Sequence, residues 1–417
     1  MYKTKSAKSY FGMRRNNSRN RFQSRSFGSK RSGSYKRSNL TGGMFRKPRG
    51  EHIDVSKYIA RLAPGASAQS YKAINRFADF NFCRELKFNL DKRKYLSPTA
   101  IQDQSIKHIM IGRDLIGLAD TGSGKTAAFL LPLINKVYMK KYEKVLIIVP
   151  TRELAIQIDG ELRTFAQGMQ IYSAVCVGGM PIGRQINNLR RNPNFIIGTP
   201  GRLKDLSNRG QIKFNAFQNI VLDEVDRMLD MGFVNEITNI LNALPLKRQG
   251  LFFSATIPLK IKALVKQFLN EVITVEVKTG DTKANVLQDI VRIRDKSEKF
   301  NKLQDLLNQP ELKKVLIFTE TKWEVEKLAV NLSKCGFKAE SIHGNKRQNQ
   351  REKSLSAFRD DHCTILVATD VAARGLDIGD ISHVINYTVP QTYNDYIHRI
   401  GRTGRGEKSG QALTFVE

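Results

Sequence analysis

The sequence of 417 residues predicts an α/β protein with two tandem domains, each built on a parallel sheet, behind a basic N-terminal arm. Short runs that are apolar throughout alternate with helical patterns, which is typical of parallel sheets covered by helices on both faces. A polar stretch without periodicity interrupts this alternation and predicts a linker. These observations place the arm at 1–50, a connecting segment at 51–76, the first domain at 77–275, the linker at 276–287 and the second domain at 288–417.

The arm carries fifteen Lys and Arg and no acidic residue, and its large aliphatic residues are too few to form a core. We therefore expect residues 1–50 to be disordered. Seven aromatic residues are interleaved with the cations: Tyr2, Tyr10, Phe11, Phe22, Phe27, Tyr35 and Phe45. Because cations follow a phosphate backbone while aromatic rings stack on bases, the arm suits single-stranded RNA without sequence preference. A solvated tail without a role and an organellar presequence are the alternative interpretations.

The net charge of +30, from 69 Lys and Arg against 39 Asp and Glu, predicts a polyanionic partner such as nucleic acid. A basic soluble protein of another kind is also compatible with that charge. The four cysteines, which are Cys83, Cys176, Cys335 and Cys363, show no paired spacing. This argues against a disulfide framework or a zinc site and favours buried thiols in a reducing compartment. No apolar run has the length of a membrane span, and no signal-peptide pattern follows Met1.

The strands predicted for the first domain are the apolar runs Asp114–Leu118, Val145–Val149, Ala174–Val177, Phe195–Ile197, Ile220–Leu222 and Leu251–Phe253. Helical patterns at Thr126–Val137 and Glu153–Gln167 lie between them. The first run leads into Ala119-Asp120-Thr121-Gly122-Ser123-Gly124-Lys125-Thr126, which opens a helix. A Gly-rich turn between a strand and a helix predicts a phosphate-binding loop, with a purely structural turn as the alternative. Lys125 would reach the β- and γ-phosphates, and Thr126 would bind Mg²⁺.

Two carboxylates follow another predicted strand, in Val221-Leu222-Asp223-Glu224-Val225-Asp226. A nucleotide-binding domain of this kind holds its metal at the carboxyl end of such a strand. We expect Asp223 to hold Mg²⁺ and Glu224 to orient and deprotonate the attacking water. An isolated acidic pair is more often the start of a helix, but this pair lies downstream of a phosphate-binding loop.

Apolar runs resume in the second domain at Val315–Phe318, Thr364–Ala368, His383–Asn386 and Ala412–Val416, without a second phosphate-binding loop. Near the end of the chain lies His398-Arg399-Ile400-Gly401-Arg402-Thr403-Gly404-Arg405. Its arginines could stabilise a transferring phosphoryl group, provided that the second domain brings them to the first. The two segments together therefore predict a clamp driven by a nucleoside triphosphate.

With these segments in this order, residues 77–417 resemble a DEAD-box ATP-dependent RNA helicase of superfamily 2, which has two RecA-like domains. Pro98-Thr99-Ala100-Ile101-Gln102 resembles the Q motif. The resemblance implies that Gln102 binds the adenine edges and that Phe77 stacks on the base, so that the nucleotide is ATP. It also implies that Asp377 binds the ribose. The arginine fingers it implies are Arg402 and Arg405, and the residues that connect the domains and couple RNA to ATP are His398 and Arg399.

The resemblance further implies contacts to the RNA backbone. The residues concerned are Thr151, Arg152, Gly179, Thr199, Gly201 and Arg202 in the first domain, and Arg351 and Thr369 in the second. Ser254-Ala255-Thr256 resembles the motif that links hydrolysis to domain closure. Interpreted without the family, Thr151 caps a helix and Thr199–Arg202 is a turn.

The chain departs from the family pattern at three places. Val225 stands where the family has Ala, and we expect ATPase activity to persist, with a change in packing against Ser254–Thr256 that could alter coupling. Lys94 replaces the usual Gly in a surface loop, with little expected consequence. The sequence ends at Glu417, where the family usually adds a closing helix, so either the protein is short or the sequence is a fragment.

These observations predict an ATP-dependent RNA helicase that uses ATP and Mg²⁺, binds the RNA backbone and separates short duplexes locally. Hydrolysis of ATP would then release the RNA. An ATP-gated RNA clamp or annealing chaperone without net unwinding is the alternative, and a DNA helicase is a third interpretation. We expect a bacterial-type cytoplasmic protein that binds RNA and no membrane.

Overall fold

The computed structural model describes residues 54–59, 71–120, 122–277, 286–295, 297–373, 380–404 and 409–417. The predicted arm at 1–50 and the centre of the predicted linker lie outside these residues. Within them, no helix has the length and apolarity that crossing a membrane requires.

Among the described residues, seven parallel strands form the sheet of the first domain, in the order β3-β4-β2-β5-β6-β1-β7. The strands are β1 Leu115–Leu118, β2 Val145–Ile148, β3 Ser173–Cys176, β4 Phe195–Gly198, β5 Asn219–Leu222, β6 Gln249–Ser254 and β7 Ile273–Glu276. The first six agree with the predicted strands to within two residues, whereas β7 was not predicted. Parallel pairing brings the carboxyl ends of β1, β5 and β6 to one edge of the sheet, where the predicted site residues begin.

Helices cover both faces of this sheet. They are α1 Arg84–Lys92, α2 Ala100–Met110, α3 Lys125–Met139, α4 Arg152–Phe165, α5 Ile182–Arg190, α6 Pro200–Asn208, α7 Val225–Asp230, α8 Val234–Asn242 and α9 Leu259–Phe268. Successive residues of β2 alternate between two hydrophobic clusters, with Ile147 in one and Leu146 and Ile148 in the other. Because every residue of β2 is buried, the strand is apolar throughout, as the sequence pattern indicated.

The described part of the second domain contains six parallel strands in the order β10-β11-β9-β12-β13-β8. They are β8 Val286–Arg292, β9 Val315–Phe318, β10 Ala339–Ile342, β11 Ile365–Ala368, β12 His383–Asn386 and β13 Gly410–Val416. Its helices are α10 Glu298–Leu307, α11 Lys322–Lys334, α12 Gln348–Arg359, α13 Asp370–Ala373 and α14 Tyr393–Ile400. The two parallel-sheet domains confirm the predicted fold class. Strands β8 and β10 were not predicted, and β8 begins within the expected linker.

Two details differ from expectation. Cys335 is exposed, so the prediction of four buried thiols is wrong for this residue, although Cys176 and Cys363 are buried. Lys94 has a φ of 57°, in the left-handed region that favours glycine. Because an L-residue there costs roughly 1–2 kcal/mol, replacing the usual Gly at this position has a conformational cost that the sequence interpretation overlooked.

Candidate functional site: nucleotide cleft and RNA groove

The predicted phosphate-binding loop lies between β1 and α3, at the helix N-terminus. Gly122 and Gly124 have φ values of 84° and 95°, which glycine adopts without steric cost. The Lys125 Nζ donates to the carbonyl oxygens of Ala119 at 2.6 Å and Asp120 at 3.0 Å. The Lys125 side chain therefore folds back onto the predicted phosphate-binding loop. Thr121 lies outside the described residues.

The Q-motif segment contacts this loop directly. Gln102 forms a capping box with Thr99 at the start of α2, and the Gln102 Nε2 donates to the Gly124 carbonyl at 3.0 Å. A Cβ on Gly124 would collide with the Gln102 amide and the Thr99 hydroxyl, which is a second reason for glycine there. The adenine-binding residue predicted from the family thus also braces the phosphate loop.

Phe77 does not present a ring face in this structure. Its side chain is only 2% exposed and lies in the hydrophobic core of the first domain. Its ring contacts Phe80 and Tyr95, with centroids 6.2 and 5.9 Å away. This placement gives Phe77 a packing role and differs from the expected stacking on a base. Of these two neighbouring rings, Tyr95 is the more exposed, at 38%.

Asp223 and Glu224 lie at the carboxyl end of β5, as expected. Glu224 has φ 53° and ψ 52°, a left-handed conformation that is uncommon for a non-glycine residue and occurs often at functional sites. Its carboxylate forms a close ion pair with the guanidinium of Arg227, which is only 2% exposed. The Arg227 Nε and Nη2 are buried without a hydrogen-bond partner among the described residues. Arg227 was not among the predicted site residues.

The two carboxylates have opposite electrostatic environments. Burial raises the pKa of Asp223 to about 7, although the charge of Lys125 opposes that rise. Burial also disfavours ionisation of Glu224, but nearby cations outweigh it and hold the Glu224 pKa below its usual value. These cations are, in order of effect, Arg227, Arg402 and Lys125. Arg402 belongs to the second domain, so its charge reaches the predicted general base across the cleft.

Asp226 joins the carboxylate motif to the Ser254–Thr256 segment after β6. Its Oδ2 accepts from the backbone N–H of Ala255 at 3.0 Å and of Thr256 at 2.9 Å, and from the Thr256 hydroxyl at 3.1 Å. The Ser254 hydroxyl in turn accepts from the Asp226 N–H at 3.3 Å. Val225 is fully buried beside this network, in the hydrophobic cluster on the other face of the sheet from Phe129.

Arg402 and Arg399, in the arginine segment of the second domain, make different contacts. Arg402 is 4% exposed and follows α14, and its Nε donates to the His398 carbonyl at 3.3 Å. Arg399 is held within the second domain: its Nε and Nη2 donate to both carboxylate oxygens of Asp370, and its Nη1 donates to Asn386 and to the Thr388 carbonyl. The expectation that Arg399 connects the two domains is therefore not met in this structure. Instead it fixes α14 to the segment after Thr369.

The predicted fingers and ribose contact are only partly described. Arg405 and Asp377 lie outside the described residues. His398 is described on α14, where its carbonyl accepts from Arg402.

Six of the eight predicted RNA contacts line one groove to which both domains contribute. A cavity of about 480 Å³ is lined by Thr151, Arg152, Thr199, Gly201, Arg202 and Arg351, among other residues. Thr369 lines a neighbouring cavity of about 600 Å³. Gly179 lies against the Arg152 guanidinium so closely that a side chain there would displace it. The groove thus offers cations beside helix N-termini, which is the chemistry that binds phosphates.

Helices α4 and α6 begin in the groove, and the sequence predicted the start of α4 correctly but not that of α6. Thr151 caps α4, its hydroxyl accepting from the Leu154 N–H at 3.4 Å, which confirms that interpretation. Thr199–Arg202 is not an isolated turn, since Pro200 begins α6. Pro at the first helical position is favoured because its missing N–H would have had no partner there.

Arg351 is paired across the domain boundary. Its Nη2 lies 3.0 Å from the Glu153 Oε1, and these side chains are 8% and 6% exposed. The Gln348 Nε2 donates to the same oxygen at 3.4 Å. Arg351 therefore lines the groove while contributing to a buried contact between the domains. The sequence did not predict this role for Glu153, because the residue is also an ordinary acid in the first turn of a helix.

Together these observations define a two-domain nucleotide-binding protein whose cleft adjoins a basic groove. Two family models match the chain: "DEAD/DEAH box helicase" over residues 99–264 and "Helicase conserved C-terminal domain" over 298–407. The DEAD-box ATP-dependent RNA helicase CshA of Bacillus subtilis (strain 168) is 43% identical over 344 residues, which cover 82% of this chain and 69% of that protein. The ATP-dependent RNA helicase CshA of Listeria monocytogenes serovar 1/2a is 40% identical, over 82% of this chain and 66% of that protein.

Among solved structures, S. cerevisiae Dbp5 bound to RNA and ADP BeF3 matches with a TM-score of 0.73 and 29% identity, over 82% of this chain and 89% of that chain. The chain belongs to the DEAD-box helicase family. It spans about two thirds of the length of the two bacterial relatives.

Proposed function

We infer that this protein is an ATP-dependent RNA helicase, an RNA-stimulated ATPase that uses the closing of two domains to act on RNA. The observation that carries this inference is the meeting of the two domains at the nucleotide cleft. Glu224 and Lys125 belong to the first domain and Arg402 to the second, and the charges of both cations help to hold the Glu224 pKa below its usual value. A site completed by both domains ties ATP hydrolysis to their closure.

ATP binding is assigned to the loop at the start of α3 and to the Q-motif segment. Backbone N–H groups at a helix N-terminus favour phosphate, and Lys125 would leave the carbonyl oxygens of Ala119 and Asp120 for the β- and γ-phosphates. Gln102 is expected to bind adenine with the part of its amide that faces the base. The ribose contact proposed for Asp377 stays a prediction.

Thr126 and Asp223 are proposed to hold Mg²⁺. Their hydroxyl and carboxylate oxygens are ligands that Mg²⁺ prefers, and it is usually bound by one or two carboxylates plus substrate phosphates. Burial raises the pKa of Asp223, and a cation held beside this carboxyl would favour its ionised form. When bound, the ion would neutralise charge on the phosphates.

Hydrolysis is assigned to Glu224, Arg402 and Arg405. The lowered pKa of Glu224 keeps the carboxylate ionised and able to accept a proton from water. In this structure Arg227 holds that carboxylate by an ion pair. Arg402 would stabilise the charge that develops on the transferring phosphoryl group, an effect worth ~10³–10⁵ in rate for arginine fingers.

RNA binding is assigned to the groove lined by Arg152, Arg202 and Arg351. Contacts of this kind reach phosphates and carry no base specificity. Because ATP and RNA both contact the two domains, each favours closure and raises affinity for the other. Closure is proposed to bend one strand and expel its partner, and hydrolysis to reopen the cleft. A cytoplasmic location is part of the proposal.

Separation of a short RNA duplex tests the function. The full chain with ATP should separate a duplex of about ten base pairs, and the Glu224→Gln variant should bind RNA and ATP without sustained separation. Strand annealing without separation, at any ATP concentration, would favour the clamp or annealing chaperone. Separation of DNA duplexes at the same rate would favour a DNA helicase.

A further inference from the structure

A short segment that precedes the first domain in sequence is packed into the second domain. Residues Val55–Tyr58 form a 3-10 turn, which Asp54 caps by accepting from the Ser56 N–H at 2.9 Å. The turn lies against β8, and Tyr58 is part of the hydrophobic core of the second domain. Its side chain is 1% exposed. Residues 54–59 therefore pack on the second domain although they precede the first domain in the sequence.

Tyr58 contacts the helix that carries the predicted coupling residues and leads to the predicted finger Arg402. Its ring meets the Tyr396 ring edge to face, with centroids 4.8 Å apart, and Tyr396 lies on α14 three residues before Arg399. The Tyr396 hydroxyl donates to the Gln288 Oε1 on β8 at 2.9 Å, which fixes that ring. The charge of Arg399 is close enough to offset part of the rise that burial imposes on the Tyr58 pKa. The Tyr58 ring therefore packs against α14 at Tyr396.

The segment that follows is anchored to the first domain. Asp103, on α2 beside Gln102, accepts from the Tyr71 hydroxyl at 2.8 Å and from the Ile74 N–H at 2.7 Å. It also accepts from the Asn75 Nδ2 at 2.5 Å, and it is only 2% exposed. The two anchors therefore lie on α2 and α14, which are the helices that bear the predicted adenine contact and lead to the predicted arginine finger.

We propose that residues 54–59 and 71–75 form a second anchored connection between the two domains, and that Tyr58 is a positioning residue for α14 and so for Arg402. This inference rests on the proposed function, because it assigns the connection a role in assembling the same nucleotide site. Two sites joined by one chain meet at a raised effective concentration. A second connection beside the linker therefore favours the assembled cleft. The Tyr58 hydroxyl is buried without a partner among the described residues, so the ring and not the hydroxyl performs the positioning.

Two variants of the full chain separate the ring from the hydroxyl. Tyr58→Phe should leave the RNA-stimulated kcat within about twofold of the parent, because only an unpartnered hydroxyl is lost. Tyr58→Ala should lower kcat roughly three- to tenfold at saturating ATP and RNA, the size of effect expected of one aromatic pair. The KM for ATP should change less, because the phosphate loop is untouched. Equal kcat in all three proteins would overturn the positioning role.

Hydrogen exchange provides a readout that does not depend on activity. Backbone amides of Tyr393–Ile400 should exchange faster in Tyr58→Ala than in the parent, and at the parental rate in Tyr58→Phe. This comparison remains informative if the parent protein proves to have no RNA-stimulated ATPase, so the two proposals can fail separately. Unchanged exchange of α14 in Tyr58→Ala would contradict the proposal.

Cutting the chain tests the connection without removing Tyr58. A protease recognition sequence inserted between Ile59 and Tyr71 allows cleavage of the folded protein. After cleavage, kcat should fall towards the Tyr58→Ala value, since the two anchors are no longer joined. If the cut protein keeps the uncut kcat, then the proposed connection is wrong. The uncut insertion protein is the control.

Discussion

Glu153→Ala should weaken RNA binding mainly when nucleotide is bound. The Glu153 carboxylate accepts from Arg351 at 3.0 Å and from Gln348 at 3.4 Å, and it lies in the first domain while both donors lie in the second. The contact can therefore form only when the domains have approached each other. Alanine would leave the buried Arg351 guanidinium without its counter-charge, and opening of the cleft would return that charge to water.

The magnitude follows from the burial of the pair. Removing one partner of a buried ion pair costs roughly 3–5 kcal/mol when the other charge cannot escape. Here the cleft can open, so the loss should be limited to the coupling between the two ligands, typically about 1–3 kcal/mol. RNA affinity in the presence of an ATP analogue should therefore fall about 5–150-fold. Affinity without nucleotide should stay within about twofold.

Fluorescence anisotropy of a labelled single-stranded RNA, with and without a non-hydrolysable ATP analogue, measures both affinities. Glu298→Ala is a matched control, because its ion pair with Lys302 is partly exposed and lies within one helix. Arg351→Ala and the double variant complete a cycle that isolates the pairwise energy. Equal losses of affinity with and without nucleotide would refute the reasoning, because the Glu153–Arg351 pair would then affect RNA binding independently of domain closure. Additive single effects would also refute it.

Three further predictions concern the loop, the core and pH. Gly124→Ala should weaken ATP binding at least about tenfold, because Gly124 has a positive φ and a Cβ would strike Gln102; equilibrium binding of a fluorescent ATP analogue checks this. Val225→Ala should lower the free energy of unfolding by about 1–2.5 kcal/mol in urea titrations, because two fully buried methyl groups are lost; an unchanged midpoint would contradict it. Burial lowers the pKa of His383, although a hydrogen bond with Gln411 opposes this. The neutral imidazole therefore stabilises the fold above about pH 6.5, the pKa of an unperturbed histidine. This stability is lost as the pH falls towards the lower pKa of the folded state. Urea titrations from pH 7.5 to 5 should show this loss in the parent and a smaller loss in His383→Gln.

The strands that sequence reasoning missed share one physical feature. β7, β8 and β10 each lie at an edge of their sheet. β10 reads Ala339-Glu340-Ser341-Ile342, and only its last two residues are buried. An edge strand needs less apolar surface than a central one, so a search for continuous apolar runs finds the centre of each sheet more readily than its margins.

The sequence predicted which segments form the site more accurately than it predicted which side chains contact each other there. The glycine positions of the phosphate loop and the cap at Thr151 follow from local chemistry, which the sequence carries. The partners of Arg399 and Arg351 depend on how distant elements pack, and nothing local in the sequence indicates that they are Asp370 and Glu153. Phe77 was assigned to stacking by resemblance, but its burial depends on the neighbouring aromatic rings of the same domain.

The most direct test of the account is the ATP turnover of the full chain with and without single-stranded RNA, beside the Glu224→Gln variant. A nucleotide site completed by both domains predicts strong stimulation by RNA in the parent and near-complete loss of turnover in the variant at every RNA concentration. Turnover that is indifferent to RNA would mean that hydrolysis does not depend on domain closure. That result would contradict the coupling of ATP and RNA across the cleft.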